Sequence, residues 1–153
     1  MTRAQPVSHP TGFTLVELMI TVVVIGIVAR VAAVNMVREM PRYRLTSAAM
    51  QLAWTFRALR MRTISQHHTV TVTFTNNHVY TVWTDRNDNG SIDSGEVQST
   101  DLSGAYPGVQ LASNTNPVFN PIGTVTNLPT ITLTNPSGAK TLTMNILGDV
   151  TIQ

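Results

Sequence analysis

Residues 13–37 read FTLVELMITVVVIGIVARVAAVNMV, an apolar stretch that follows a short polar leader. As an α-helix this stretch would be about 37 Å long, which is enough to span the hydrocarbon core of a bilayer. Glu17 interrupts the apolar character near the start of the stretch. Because a carboxylate inside a membrane costs free energy unless it finds a partner, such an acid indicates a function. The stretch therefore predicts a transmembrane helix that carries a functional acid.

The leader, residues 1–12, reads MTRAQPVSHPTG and contains no apolar run. We interpret it as a cytoplasmic leader and not as folded structure. A conventional secretory signal is one alternative, with a cleavage site near the alanines at 32–33, but Glu17 and Arg30 both disfavour it. A plain membrane anchor is another alternative, and it explains the length of the stretch without explaining Glu17.

The sequence Gly12-Phe13-Thr14-Leu15-Val16-Glu17 resembles the processing and methylation motif of type IV pilins and pseudopilins. A small residue, an aromatic residue, Thr-Leu, an acid and an apolar helix occur here in the order of that motif. The resemblance implies that prepilin peptidase cleaves between Gly12 and Phe13 and that Phe13 is then N-methylated. It also implies that Glu17 guides assembly with other pilin or pseudopilin subunits.

The arginines and the motif give different membrane orientations. Arg38, Arg42 and Arg44 follow the apolar stretch, whereas Arg3 lies before it. Charge counting alone therefore places the side after the stretch in the cytoplasm. We follow the motif, because the leader has to reach a peptidase on the cytoplasmic face. The resemblance thus implies a single-pass protein of the inner membrane with a periplasmic C-terminal domain. After assembly the subunit would be part of a periplasmic pseudopilus or a pilus.

Composition limits the classes of function that the protein can have. The 153 residues suffice for one modest domain and a helix, and a net charge of +2 indicates no polyanionic partner. The sequence contains no cysteine, which excludes disulfides, thiol nucleophiles and cysteine–metal sites. It has no nucleophile elbow, no phosphate-binding glycine loop and no histidine pair at metal-ligand spacing. We therefore predict that the protein is not an enzyme.

Residues 38–68 predict an amphipathic continuation of the helix. One apolar stripe suits docking on a sheet. This stripe consists of Leu45, Ala49, Leu52, Phe56, Leu59 and Thr63. Met50, Trp54 and Met61 fall on the opposite side, where we expect contacts with neighbours in a bundle or filament. The alternative is that these three side chains pack under a loop of the same domain.

Residues 69–153 predict a β-rich domain. Threonine alternates with apolar residues over 69–75, as in a half-buried strand, and residues 79–83 return after an Asn-Asn turn. Further strands are predicted at 97–102, 109–112, 118–119, 130–134, 141–146 and 150–152. One long helix followed by strands predicts an α+β, pilin-like fold in which the N-terminal transmembrane helix packs on an antiparallel β-sheet domain.

Three parts of the sequence after residue 38 resemble the GspH/FimT group of pseudopilins. They are the helix at 48–64, FNPIG at 119–123 and NILG at 145–148. The resemblance implies a minor pseudopilin or minor pilin that enters a type II secretion pseudopilus or a type IV pilus, with a structural role in assembly and protein secretion.

A competence-type minor pilin that binds DNA is the alternative function. DNA-binding relatives use basic residues at the C-terminal end, and this protein has none after Lys140, so nucleic acid is disfavoured as a partner. Arg57, Arg60 and Arg62 would be left to contact phosphates.

Residues 85–96 read DRNDNGSIDSGE and match the twelve-residue calcium-loop template, with glycine at position 6. The candidate ligands of a structural Ca²⁺ are Asp85, Asn87, Asn89, Ser91, Asp93 and Glu96. The alternative is a turn rich in Asp and Asn that connects two strands without an ion. A membrane-tethered calcium-binding domain that forms no filament is a third reading of the whole sequence.

Overall fold

The computed structural model describes residues 12–153, except for the side chains of residues 34–35. The greater part of the predicted leader, residues 1–11, lies outside the described residues. Within the described residues, one α-helix, α1 (Leu15–Gln66), precedes nine strands. The strands are β1 (Thr69–Phe74), β2 (Val79–Asp85), β3 (Val97–Asp101), β4 (Gln110–Ser113), β5 (Val118–Phe119), β6 (Val125–Thr126), β7 (Thr130–Asn135), β8 (Gly138–Met144) and β9 (Val150–Ile152).

The helix ends two residues earlier than residue 68, where the sequence pattern placed its end. His67 adopts a left-handed φ of 57°, which closes the helix and turns the backbone into β1. Pro41 lies inside α1, and its carbonyl accepts a hydrogen bond from Nδ2 of Asn135 at 2.6 Å. This bond fastens the turn between β7 and β8 to the helix.

The strands form two antiparallel sheets, whereas one sheet was expected from the sequence. The first sheet has the order β3-β2-β1-β5-β6, and the second has the order β4-β7-β8-β9. The Thr-apolar alternation of β1 is confirmed, since Val70 and Val72 are buried while the threonines between them are partly exposed. The two-residue strand β6 was not predicted, because so short a segment carries no periodic signal.

The predicted stripe of α1 forms the helical side of the hydrophobic core. Its six residues are between 0% and 7% exposed, and all of them except Thr63 belong to one hydrophobic core with buried side chains of both sheets. Met50, Trp54 and Met61 on the opposite side are 52%, 66% and 64% exposed. The alternative in which these three side chains pack under a loop of their own domain is therefore wrong.

Glu39–Gln153 forms one compact unit by its own contacts. Every residue of the hydrophobic core, from Leu45 to Val150, belongs to this unit. A fragment that begins at residue 39 therefore keeps the complete core and all nine strands. The described residues before it form a separate unit, in which the large apolar side chains from Leu15 to Val31 are exposed.

Candidate functional site

The start of α1 is built by a reciprocal cap between Thr14 and Glu17. Oε2 of Glu17 accepts hydrogen bonds from the backbone N of Thr14 at 2.9 Å and from its Oγ1 at 3.0 Å. In return, Oγ1 of Thr14 accepts from the backbone N of Glu17 at 3.2 Å. This arrangement is a capping box, which satisfies two backbone donors that the first turn of a helix leaves without partners.

Thr14 is thus a site residue that was not predicted from the sequence. The signal was present, because Thr at one position and Glu three residues later, just before an apolar run, is the sequence signature of this cap. The cap gives Glu17 a local partner in the isolated subunit. The sequence suggested that Glu17 needs a partner from the assembly. Its carboxylate already accepts hydrogen bonds from Thr14 of the same subunit.

The bond expected to be cleaved lies in an accessible segment. Gly12 and Phe13 precede the first helical residue, Leu15, and the side chain of Phe13 is 87% exposed. Gly12, Phe13, Thr14 and Glu17 border one open recess of about 420 Å³. Both residues are exposed and lie outside regular secondary structure, so the bond between them is accessible.

The apolar surface that follows is larger than a water-soluble monomer tolerates. Within the described residues, α1 is the one helix long and apolar enough to cross a membrane, and its most apolar window has no buried residue. An apolar environment has to cover this surface, because exposed apolar side chains at this density would otherwise cause aggregation.

A second exposed apolar surface lies on the later part of α1. Met50, Trp54 and Met61 form what we call the outer ridge, and all three are more than half exposed. The guanidinium of Arg57 lies 5.1 Å from the centroid of a Trp54 ring, within range of a cation–π contact. This contact orients the indole while leaving most of it accessible, so the ridge offers a rigid aromatic anchor to a neighbouring molecule.

Arg57 and Arg60 also connect the helix to distant backbone carbonyls, one on β9 and one between β5 and β6. A terminal N of Arg57 donates to the carbonyl of Val150 at 3.1 Å, and Nε of Arg60 donates to the carbonyl of Gly123 at 3.0 Å. Gly148 lies against the same Arg60 side chain, since a Cβ added there would be 2.7 Å from Cδ of Arg60. Gly123 and Gly148, which belong to the FNPIG and NILG segments, therefore lie against the same side chain, that of Arg60.

We expect Gly148→Ala to destabilise the domain by about 1–3 kcal/mol, because Gly148 has a φ of +75° and a Cβ would collide with Arg60. Gly108→Ala is the matched control. Gly108 has a φ of +84°, and nothing lies within 4 Å of its Cβ position, so this variant reports the backbone strain alone. Urea unfolding of residues 39–153 measures both variants, and equal losses would show that the contact with Arg60 contributes nothing.

The acidic loop between β2 and β3 is closed by hydrogen bonds to its carboxylates. Asp85 is only 7% exposed, and its two oxygens accept from the backbone N of Asn89 at 3.2 Å and of Gly90 at 2.9 Å. Glu96, at the other end of the loop, is also 7% exposed and accepts from the backbone N of Arg86 at 2.8 Å. The first and last candidate ligands thus hold the ends of the loop.

The remaining candidate ligands form a network in the middle of the loop. Oδ2 of Asp93 accepts from Nδ2 of Asn87 and from Nδ2 of Asn89, each at 2.8 Å. Oδ1 of Asn89 accepts from the backbone N of Ser91 at 2.7 Å. In residues 12–153, no three His, Cys, Asp or Glu side chains are grouped as a metal site would group them. All six predicted ligands therefore lie on one ordered loop in which amide groups bind the carboxylates.

These hydrogen bonds favour the charged forms of two acids. The side-chain amide of Asn87, followed by that of Asn89, lowers the pKa of Asp93 below its ordinary value. The backbone N–H of Arg86 is the main cause that lowers the pKa of Glu96. Both carboxylates therefore stay ionised at neutral pH, which is the state that either a hydrogen-bond network or a cation requires.

Comparisons with known proteins agree with this architecture. The protein is similar to the type IV minor pilin FimU of Pseudomonas aeruginosa PAO1, with 16% identity and a TM-score of 0.55 over 73% of this chain and 90% of that chain. It is also similar to the minor pseudopilin EpsH from the type 2 secretion system of Vibrio cholerae, with 15% identity and a TM-score of 0.57 over 72% of this chain and 96% of that chain. These likenesses confirm the pilin-like α+β fold.

Two family models match the sequence itself. Residues 8–29 match the prokaryotic N-terminal methylation motif, and residues 48–148 match the type II transport protein GspH. No curated protein sequence matches it. Because the GspH model covers more than half of the 153 residues, including most of the helical stripe, strands β1 to β8, Gly123 and Gly148, the chain belongs to the GspH family of type II transport proteins.

Proposed function

We propose that this protein is a minor pseudopilin or minor pilin subunit of a type II secretion pseudopilus or a type IV pilus. In this proposal prepilin peptidase cleaves between Gly12 and Phe13, Phe13 is N-methylated, and the domain after the helix lies in the periplasm. The observation that carries the proposal is the capped acid Glu17 at the start of a helix whose apolar first part has no buried residue, in a member of the GspH family. No enzymatic role is needed to explain any part of this arrangement.

The proposed role of Glu17 follows from electrostatics. Cleavage before Phe13 would leave a positively charged amine at the start of each mature subunit, close in sequence to Glu17. In a helix bundle of low effective dielectric, the attraction between this amine on one subunit and Glu17 on the next is far stronger than in water. Before assembly, Thr14 donates hydrogen bonds to the carboxylate of Glu17. Glu17 therefore has a partner in the membrane even in the unassembled subunit.

Mass spectrometry of the mature protein tests the processing directly. We expect the mature protein to begin at Phe13 and to carry a methyl group on the terminal nitrogen. The same protein expressed in a host that lacks prepilin peptidase should retain residues 1–12. A mature product that keeps its leader in the presence of the peptidase, or that begins at another residue, would refute the proposal.

We expect Trp54→Ala to reduce incorporation into filaments about tenfold or more, because a rigid aromatic anchor at an interface contributes more than its contact area suggests. Its free energy of unfolding should change by less than about 0.5 kcal/mol, since Trp54 is 66% exposed. Ile122→Ala is the matched control, because Ile122 is 83% exposed and lies outside the outer ridge. The measurement is the amount of subunit in sheared filaments. Equal incorporation of both variants would contradict a role for the ridge.

We further propose that the acidic loop binds Ca²⁺ as a structural ion. Its support is an all-oxygen set of side chains at calcium-loop spacing, together with the left-handed φ of 70° at Gly90 in the sixth position. Asp85, Asn87, Asn89, Asp93 and Glu96 would supply side-chain oxygens. Ser91 would contribute its backbone carbonyl. The ion would compete for the oxygens that now accept hydrogen bonds from amide groups.

A melting experiment tests the calcium proposal. With about 1 mM Ca²⁺ we expect the Tm of residues 39–153 to lie roughly 3 °C above its value in chelator, as mass action on a weak site predicts. Asp93→Asn should remove this difference, because it removes a ligand charge from an exposed position. Equal melting curves for the unmodified protein would mean that the loop is held by its hydrogen bonds alone.

DNA capture has less support than assembly. Of the three arginines that the sequence left for phosphate contacts, Arg57 donates to the carbonyl of Val150 on β9 and Arg60 donates to the carbonyl of Gly123 between β5 and β6. Arg62 is the remaining member, and one arginine does not make the row of phosphate contacts on which nucleic-acid affinity depends.

A further inference from the structure

A cleft lies where the end of α1 meets the start of the acidic loop. Arg62, Gln66, His68 and Arg86 line it, and its volume is about 330 Å³. A smaller pocket of about 80 Å³ shares Arg62 and Arg86 with it. We call the larger space the arginine cleft. The helix end and the loop that form it both belong to the compact unit Glu39–Gln153, so its existence does not depend on filament assembly.

Neither arginine of the arginine cleft forms an ion pair within the part of the protein that the structure describes. Nε of Arg62 donates to the neutral side chain of Gln66 at 3.0 Å. In the part of the protein that the structure describes, the one contact of 4.0 Å or less between a basic and an acidic side chain joins Nδ1 of His68 to Oδ1 of Asp88, at 3.8 Å. Neither guanidinium therefore has a carboxylate partner among the described residues.

Glu96 borders the smaller pocket without pairing with either arginine. Its Oε1 accepts from the backbone N of Arg86. Its Oε2 accepts from Nε1 of Trp83 and from the backbone N of Asp93, both at 3.2 Å. Both oxygens of Glu96 are thus bound to uncharged N–H groups, and Glu96 accepts no hydrogen bond from either guanidinium. A guanidinium presents paired N–H donors that suit the planar oxygen pair of a carboxylate, and two guanidinium side chains line this one cleft.

We propose that the arginine cleft binds a single carboxylate group of a protein partner, supplied by an acidic side chain or by the C-terminus of the partner. A carboxylate is small enough to enter the cleft between Arg62 and Arg86. A polyanion is disfavoured, because the exposed acids Asp88 and Asp93 of the adjoining loop would repel the neighbouring phosphates. The site adds a second binding surface to the proposed subunit, and its partner need not belong to the filament.

NMR of the arginine side chains tests this proposal. Residues 39–153, labelled with ¹⁵N, are titrated with sodium acetate and, separately, with sodium chloride at equal ionic strength. We expect saturable shifts of the Nε–Hε signals of Arg62 and Arg86 with acetate and no saturation with chloride. Identical responses to both salts would show only charge screening and would overturn the proposal.

Two variants and one control assign the site. Arg62→Gln and Arg86→Gln should each weaken acetate binding about tenfold, as loss of a charge-assisted hydrogen bond predicts. Arg42→Gln removes the same charge from an exposed position on the same helix and should leave the affinity unchanged. Backbone amide spectra verify that each variant is folded. Equal weakening by all three would assign the effect to net charge and would also overturn the proposal.

Three further probes separate the alternative ligands. A short peptide with one internal glutamate and an amidated C-terminus represents a side-chain source, and an acetylated alanine peptide with a free C-terminus represents the other source. Tighter binding of either peptide than of acetate supports the proposal and names the source. A twelve-nucleotide DNA strand that shifts the same signals and displaces acetate would overturn it in favour of a nucleic acid. Failure here leaves the processing of Phe13 untouched, so the two proposals are tested separately.

Discussion

Glu17→Ala should lower incorporation of the subunit into filaments about 100-fold or more while the domain after residue 39 stays folded. Removing one partner of a pair of opposite charges in a helix bundle leaves the other charge buried alone, which is among the largest single-residue effects known. The partner left alone would be the amine of mature Phe13 on a neighbouring subunit. The domain is unaffected because Glu17 lies outside the compact unit that begins at Glu39.

Two variants separate the roles of this acid. Thr14→Ala removes the side group that caps the helix and keeps the carboxylate, so we expect a smaller loss of incorporation than with Glu17→Ala. Glu39→Ala removes an exposed acid from the same helix and should have no effect. The readout is the fraction of subunit in isolated filaments, with total membrane-inserted subunit measured in parallel. Wild-type incorporation of Glu17→Ala would remove the basis of the assembly proposal.

Phe56→Ala should cost about 3–5 kcal/mol of the free energy of unfolding, which is a large part of the total stability of a small domain. Phe56 is fully buried on the helical stripe and packs against Phe119, with ring centroids 6.2 Å apart and an interplanar angle of 33°. Truncation removes this contact and leaves a cavity between the helix and the first sheet. Partial unfolding at 37 °C is therefore expected.

Trp54→Ala provides the contrast, because Trp54 lies two positions away on the opposite face of the same helix and is mostly exposed. We expect it to change stability by less than about 0.5 kcal/mol. Urea unfolding of residues 39–153 measures both variants on one scale. Similar losses for the two would mean that the helix buries both faces within its own domain.

Much of the site follows from local sequence patterns. The apolar run after Phe13 and the acid at Glu17 predicted the exposed membrane-length helix, because hydrophobicity and length are properties of a continuous segment. The spacing of the stripe from Leu45 to Thr63 predicted the buried face, because successive turns of a helix place those residues on one side. The capping box of Thr14 was also readable from sequence, although it was not recognised there.

Other features depend on partners far apart in the sequence. The spacing within α1 places Arg60 on the helix but cannot show that it donates to Gly123, 63 residues later. The same holds for the division of the strands into two sheets, which depends on long-range pairing and on the two-residue strand β6. The acidic loop matched a calcium template in sequence, and only the folded protein shows its carboxylates bound to amide groups.

The sequence by itself determined the membrane-length helix, its acid, its buried stripe and the β-rich character of the domain, because each of these is set by residues a few positions apart. The tertiary structure alone decided the roles of the arginines. Arg57 and Arg60 donate hydrogen bonds from the helix to the carbonyls of Val150 and Gly123. Arg62 and Arg86 instead line one cleft. A cation's role depends on which groups surround it, and those groups come together only when distant segments fold onto one another.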